Sequence, residues 1–220
     1  ARGARRWVPE PFLLALLLTI VVFALGAWRV SATGGSPTVL LPGWVEGFSS
    51  RPLLAFALQM CLVLVTGHAL ATSPPVQRAV SALSRLAPTA ASASALVAFV
   101  ACASAVVHWG LGAIVGAFLA REMGRHAQRV GKPVHYPLLG AAAYSGFAVW
   151  HGGLSGSAPL KVAEEGHFVE SLTGVLPVTQ TLFSPLNFIV TGTLIVLLPA
   201  LFYALTPRDP AHLVPLAEEE

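Results

Sequence analysis

Residues 134–160 form a run of 27 with no Asp, Glu, Lys or Arg, and near its end stands His151-Gly152-Gly153-Leu154-Ser155-Gly156-Ser157. An uncharged stretch of that length is enough to cross the hydrocarbon of a bilayer. Three glycines and two serines in seven positions are poor helix formers. Backbone that leaves the helix at membrane depth strands its N–H and C=O groups unless protein or a water-filled cavity satisfies them. The two demands together predict a membrane helix that is broken on purpose. Broken helices supply substrate and ion sites in secondary transporters, so the run points to a transport site rather than to a plain anchor.

Composition agrees with a membrane chain. Hydrophobic residues make up 55% and charged residues 10%, with a mean hydropathy of +0.72, whereas soluble domains carry roughly 25% charged residues. The net charge of +3 does not imply nucleic acid. The basic residues fall in short groups between apolar runs, and no nucleic-acid-binding motif is present. Cys61 and Cys102 sit inside apolar runs and read as small buried hydrophobes, not as a disulfide or metal pair. The first apolar run is too long for a signal peptide and has no small-residue cleavage pattern. The chain has no initiator Met, so its natural start is expected upstream.

The uncharged runs set the predicted elements. Pro11–Trp28 reads as a first span, with Trp7 and Trp28 near opposite interfaces. Thr33–Ser50, rich in Gly, Pro and Ser, reads as a loop with a short interfacial piece around Trp44–Phe48. Leu53–Ala71 reads as a second span, ended by Thr72-Ser73-Pro74-Pro75. Val76–Leu86 reads as a short amphipathic connector. Leu182–Leu205 crosses again, and a polar tail begins at Thr206.

Leu86–Ala120 holds 35 residues without charge. As one helix it would measure about 52 Å at 1.5 Å per residue, against a hydrocarbon core of about 30 Å. A re-entrant hairpin with His108-Trp109-Gly110 at its tip fits the length. The distribution of positive charge supports it. With the hairpin, ten of the 13 basic residues share one face and only Arg29, Arg51 and Lys161 lie opposite; with a single span the split is 7:6. Basic residues concentrate in cytoplasmic loops, so the amino terminus is expected in the cytoplasm. The predicted fold class is therefore all-α, a polytopic membrane protein with transmembrane helices, a re-entrant helical hairpin and a broken helix. Whether residues 86–120 make one re-entrant excursion or two short crossings is left open.

No charged residue falls inside a predicted span, which argues against an acidic proton relay and against a voltage sensor. The candidate site is polar but uncharged. Gly152, Gly153, Ser155, Gly156 and Ser157 can offer backbone N–H groups and hydroxyls to a carboxylate, or freed carbonyls to a sodium ion; the competing reading is close helix packing through small residues. His108, Trp109 and Gly110 would meet that break from the hairpin tip. His151 is a candidate for proton coupling, or else a neutral packing residue. His68, Asn187 and Thr191 read as hydrogen-bonding residues between helices. The histidines are too far apart in sequence for a metal site, and no catalytic triad, nucleotide loop or paired intramembrane carboxylates is present, so neither an enzyme nor a metal or other cofactor is expected.

Several segments carry a family resemblance: Val65-Thr66-Gly67-His68-Ala69-Leu70-Ala71, His108-Trp109-Gly110-Leu111-Gly112, His135-Tyr136-Pro137-Leu138-Leu139, Ala143-Tyr144-Ser145-Gly146-Phe147, and above all Trp150-His151-Gly152-Gly153-Leu154-Ser155-Gly156-Ser157-Ala158-Pro159-Leu160. Over roughly Trp7–Pro207 the chain resembles the bacterial short-chain fatty acid transporter family, within the ion transporter superfamily of anion symporters. The resemblance implies uptake of short-chain monocarboxylates of the butyrate and acetoacetate class across the inner membrane, coupled to a proton or sodium ion. It also implies that residues 1–206 are one half of a two-repeat transmembrane domain and 207–220 a cytoplasmic tail or linker. The expected partners are the monocarboxylate, the bilayer and the second half, with self-assembly left open and nucleic acid excluded. Two rivals stay open: another anion or dicarboxylate carrier, and a non-transporting membrane subunit whose glycines serve packing.

Overall fold

Every regular element among the described residues is helical, as an apolar chain without alternating polarity requires. The computed structural model describes residues 10–167 and 169–216, with the side chains of residues 11, 52, 53, 56, 60, 63, 64, 67, 68 and 70–72 left out. Trp7 and the side chain of His68 therefore lie outside the described residues. Three described helices are long and apolar enough to cross a membrane: Phe12–Ala32, Ala90–Val107 and Pro185–Leu205. The chain divides into two compact units, residues 1–61 and 62–220.

In the first unit, α1 (Pro11–Ala32) opens on a proline, which costs nothing at a position whose N–H has no helical acceptor. It continues one turn past the predicted end and takes in Trp28 and Arg29. A 3₁₀ turn (Pro37–Val39) leads into α2 (Leu40–Ser49), where a loop was expected over most of the stretch. Tertiary contact overrides composition there. Pro42 sits in the first turn, where it is tolerated, and Leu40, Trp44 and Phe48 recur every four residues on one face. Trp44 meets Phe23 at 5.7 Å and Phe48 at 5.9 Å between ring centres. α3 (Arg51–Thr72) begins in this unit and runs into the next.

In the second unit, α4 (Pro74–Ser84) is the predicted amphipathic connector and buries Val80 and Ser84. α5 (Ala90–Val107) and α6 (Trp109–Arg129) are separated by the single extended residue His108 (φ −156°, ψ 129°). Gly112 lies against Ala105 and Gly116 against Ala101, so the two helices run antiparallel as the predicted hairpin. Its arms are unequal. At 1.5 Å per residue α5 is about 27 Å long, whereas the uncharged part of α6, Trp109–Ala120, is about 18 Å. Small residues let the arms approach closely, as they do between membrane helices generally.

A capping box starts the hairpin: Ser92 N–H donates to Thr89 Oγ1 at 3.1 Å, and Thr89 N–H donates to Ser92 Oγ at 3.0 Å. Thr89→Ala removes one half of it and is expected to lower the stability of the unit by about 1 kcal/mol. Chemical unfolding in detergent checks this, with Thr89→Ser expected to restore most of the loss.

α7 (Tyr136–Tyr144) packs across the hairpin, and its Leu139 and Ala142 join Val97, Ala98 and Leu119 in a fully buried core. The chain then leaves the α-helix. Two 3₁₀ segments (Ser145–Ala148 and Trp150–Gly152) and a turn precede α8 (Ser157–Val162), so the predicted break is present. The expected outer loop over 161–181 holds only the end of α8 and the single turn α9 (Glu170–Thr173). α10 (Pro185–Leu205) returns along α5, with Leu194, Ile195 and Leu198 packed on Cys102, Ala105 and Val149. The tail folds back on the hairpin's open end, where Tyr136 N–H donates to Val214 O (2.8 Å) and Gln128 Nε2–H to Leu216 O (2.8 Å).

Candidate functional site

The break in the chain and the tip of the hairpin are held together by two hydrogen bonds, one between backbones and one to a serine hydroxyl. α5 ends with unsatisfied carbonyls, as any helix does, and one of them, Val106 O, accepts from Leu154 N–H at 2.7 Å. α6 begins with unsatisfied amides, and one of them, Trp109 N–H, donates to Ser155 Oγ at 2.9 Å. The break thus supplies a donor to one helix end of the tip and an acceptor to the other. Protein thereby satisfies Val106 O, Leu154 N–H and Trp109 N–H, backbone groups that the helix ends and the break would otherwise leave unpaired.

Glycine makes the approach possible. A Cβ on Gly153 would lie 2.6 Å from Val106 Cα and 2.8 Å from its carbonyl carbon, against backbone that cannot rotate away. A Cβ on Gly152 would run into Thr191 Oγ1 and come within 2.7 Å of Asn187 Oδ1. Gly156 is buried and folds against its own turn, donating its N–H to Gly153 O at 3.0 Å.

Asn187 braces the break from the other side. Its Nδ2 group donates to Gly152 O (2.9 Å) and to Leu182 O (2.7 Å), while its Oδ1 accepts from Thr191 Oγ1 (3.1 Å). The sequence offers Asn187 and Thr191 as a polar pair one turn apart, and nothing in it says that their partner is Gly152. The pair joins the candidate site through that contact.

Six aromatic rings surround the clamp. Trp109 meets Trp150 at 5.7 Å and Phe147 at 6.2 Å, Phe147 meets Tyr144 at 4.8 Å, and His151 stacks on Trp150 at 4.3 Å. His108 stacks on Trp109 at 5.9 Å. Trp150 is fixed further by its Nε1–H, which donates to Ser155 O at 2.9 Å. Tyr144 and Phe147 were not among the expected site residues; their place follows from the 3₁₀ geometry after α7, which sequence periodicity does not reveal.

The expected site residues thus come together, in different capacities. Gly110 is buried, and its N–H donates to His108 Nδ1 at 3.2 Å. That bond places the proton of a neutral His108 on Nε2. His108 and His151 are both exposed in this chain, and no group of three metal-ligating side chains occurs among the described residues. Ser157 is the exposed first residue of α8, and its hydroxyl has no hydrogen-bond partner among the described residues. The same holds for the Ser155 N–H, and the Ser155 hydroxyl proton is free because its oxygen serves as acceptor. Unspent donors therefore stand at the break among the described residues: the Ser155 amide, the two hydroxyls and the amides of Ser157 and Ala158 that open α8. The nearest basic residue along the chain, Lys161, is paired with Glu164 at 2.7 Å.

The sequence matches known proteins. A family model described as short chain fatty acid transporter matches residues 1–215. A relative from Escherichia coli (strain K12), named for short-chain fatty acid transport, is 41% identical over 207 residues, covering 94% of this chain and 45% of its own length. Another so named, from Haemophilus influenzae (strain ATCC 51907 / DSM 11121 / KW20 / Rd), is 38% identical over 211 residues, covering 93% of this chain and 45% of its own. The chain thus spans about half the length of the curated relatives it matches. No solved structure matches it.

Proposed function

The chain belongs to the short chain fatty acid transporter family, and from that premise we propose that it forms the amino-terminal half of a secondary active transporter for short-chain monocarboxylates. The observation that carries the proposal is the set of unspent donors at a broken membrane helix: the Ser155 N–H and the hydroxyls of Ser155 and Ser157. A carboxylate accepts hydrogen bonds and carries one negative charge, so neutral donors suffice to hold it. No unpaired Lys or Arg stands at the break among the described residues, which suits a singly charged acid better than a dicarboxylate. The rings of Trp109, Phe147 and Trp150 give a short alkyl chain an apolar wall to bury against.

In this reading the Trp109–Ser155 and Val106–Leu154 hydrogen bonds make the hairpin tip and the break one rigid body, which moves as a unit between inward- and outward-facing states. The second half closes the site from the other side. Two short elements meeting at one point can serve a coupling cation as well, because freed carbonyls lie beside the donors. The proposed location is the bacterial inner membrane with the amino terminus in the cytoplasm, on the strength of the 10:3 distribution of basic residues.

The test is uptake of labelled butyrate or acetoacetate by the whole transporter in proteoliposomes, at a pH that keeps the acid ionised, with an imposed proton or sodium gradient. Ser157→Ala touches no internal bond, so it is expected to lower uptake at least tenfold with the protein still folded. Ser155→Ala is expected to lower it further, because it also releases Trp109. Gradient-driven uptake unchanged in both variants would move the carboxylate site elsewhere. Preference for a dicarboxylate would favour the rival carrier reading. No uptake by folded protein would sink transport of these acids.

A further inference from the structure

A cavity of about 870 Å³ in the second unit lies away from the break, at the open end of the hairpin. Arg85 at the end of α4, Lys132 in the connection from α6 to α7 and Arg208 after α10 all line it, together with His126. No Asp or Glu does. The acids of the neighbouring segments are engaged elsewhere: Glu122 pairs with Arg129 at 2.7 Å, and Asp209 caps Ala211 and faces His212. The side chains of Arg85, Lys132 and Arg208 have no ion pair or hydrogen bond among the described residues. Three cations from three separate elements thus converge on one concave space with no counter-ion among the described residues.

Helix ends modify that field without reversing it. The first turn of α5, with the N–H groups of Ala90 and Ala91, opens on the cavity and favours an anion. The C-termini of α4, α6 and α10 open on it too, each worth about half a negative charge. Three full positive charges outweigh that sum. Apolar residues such as Met123, Val134 and Leu213 complete the lining, giving one charged and one greasy portion.

We propose that this cavity is a binding site for a phosphate-bearing anion, separate from the carboxylate site. A phosphate group accepts several charge-assisted hydrogen bonds at once and bears more charge than a monocarboxylate, which fits three cations better than one small acid would. The same chemistry is offered by an anionic phospholipid headgroup at the membrane surface and by a soluble phosphate ester, and the test separates them. The proposal does not depend on what the transporter carries.

The experiment uses the whole transporter, purified in neutral detergent. In one arm, native mass spectrometry counts retained phosphatidylglycerol against phosphatidylcholine. In the other, glycerol 3-phosphate is titrated in the absence of anionic lipid. Selective retention of phosphatidylglycerol alone assigns a lipid headgroup; binding of glycerol 3-phosphate assigns a soluble ester; either supports the site. The triple variant Arg85→Gln/Lys132→Gln/Arg208→Gln is expected to weaken the binding at least tenfold, and the lysine variants Arg85→Lys and Arg208→Lys to retain most of it. Arg78→Gln, exposed outside the cavity on the same helix as the α4 end, is expected to change it less than twofold. Binding by neither probe, equal binding by the triple variant, or an equal loss in Arg78→Gln would overturn the proposal.

Discussion

Gly153→Val is expected to abolish gradient-driven uptake while leaving the transporter inserted in the membrane. The glycine's missing Cβ points at Val106 Cα, carbonyl carbon and oxygen, all of them backbone. Side chains can turn away from an intruder, but a helix end cannot. The only relief is separation of the hairpin tip from the break, which loses the Leu154–Val106 and Trp109–Ser155 hydrogen bonds. Overpacking costs about 1–3 kcal/mol, and each lost hydrogen bond adds about 1 kcal/mol. The clamp is therefore weakened by about 3–5 kcal/mol, a shift of two orders of magnitude or more in its population at roughly 1.4 kcal/mol per tenfold. Uptake should fall at least tenfold. Fluorescence should report the same event, because Trp109 and Trp150 sit 5.7 Å apart across the clamp. Gly140→Ala is the control. It lies on α7 with open space where its Cβ would stand, and it should transport normally. Normal uptake by Gly153→Val would mean that the tip and the break need not touch for transport.

How much of this was legible in the sequence depends on how local the cause is. The break was legible, because three glycines and two serines in an uncharged run have a local consequence that no distant contact reverses. The pair of antiparallel helices was legible from length: 35 uncharged residues are too many for one span, and His108-Trp109-Gly110 stands at the turn between α5 and α6. α2 was not, because its Gly and Pro content speaks for a loop, and only the stacking of Trp44 on Phe23 overrules it. Within the site, the residue types at the break were visible, but their division of labour was not. Ser155 and Ser157 look equivalent in sequence; in the fold one oxygen accepts from Trp109 and the other stands free. Which partner a polar side chain takes across 30 or 40 residues is set by packing, and periodicity says nothing of it.

Asn187 shows what such a partner is worth. Asn187→Leu, similar in volume, removes the donors that satisfy Gly152 O and Leu182 O, and also the acceptor of Thr191. Two carbonyls are left unpaired in an apolar setting, at about 1–3 kcal/mol each. Water cannot easily replace the amide, because Gly152 sits directly against the Asn187 and Thr191 side chains. The expected result is loss of most uptake and a lower melting temperature of the whole transporter in detergent. Asn187→Asp is nearly isosteric but has no donors, so Gly152 O and Leu182 O stay unpaired and it should fare no better. Thr191→Val keeps the shape and removes one hydroxyl whose single acceptor is Asn187, and it should cost only about 1 kcal/mol. That ordering separates a brace from a mere patch of polarity. If the two Asn187 variants transport as well as Thr191→Val, the break is held from the hairpin side alone, and α10 does no more than cover it.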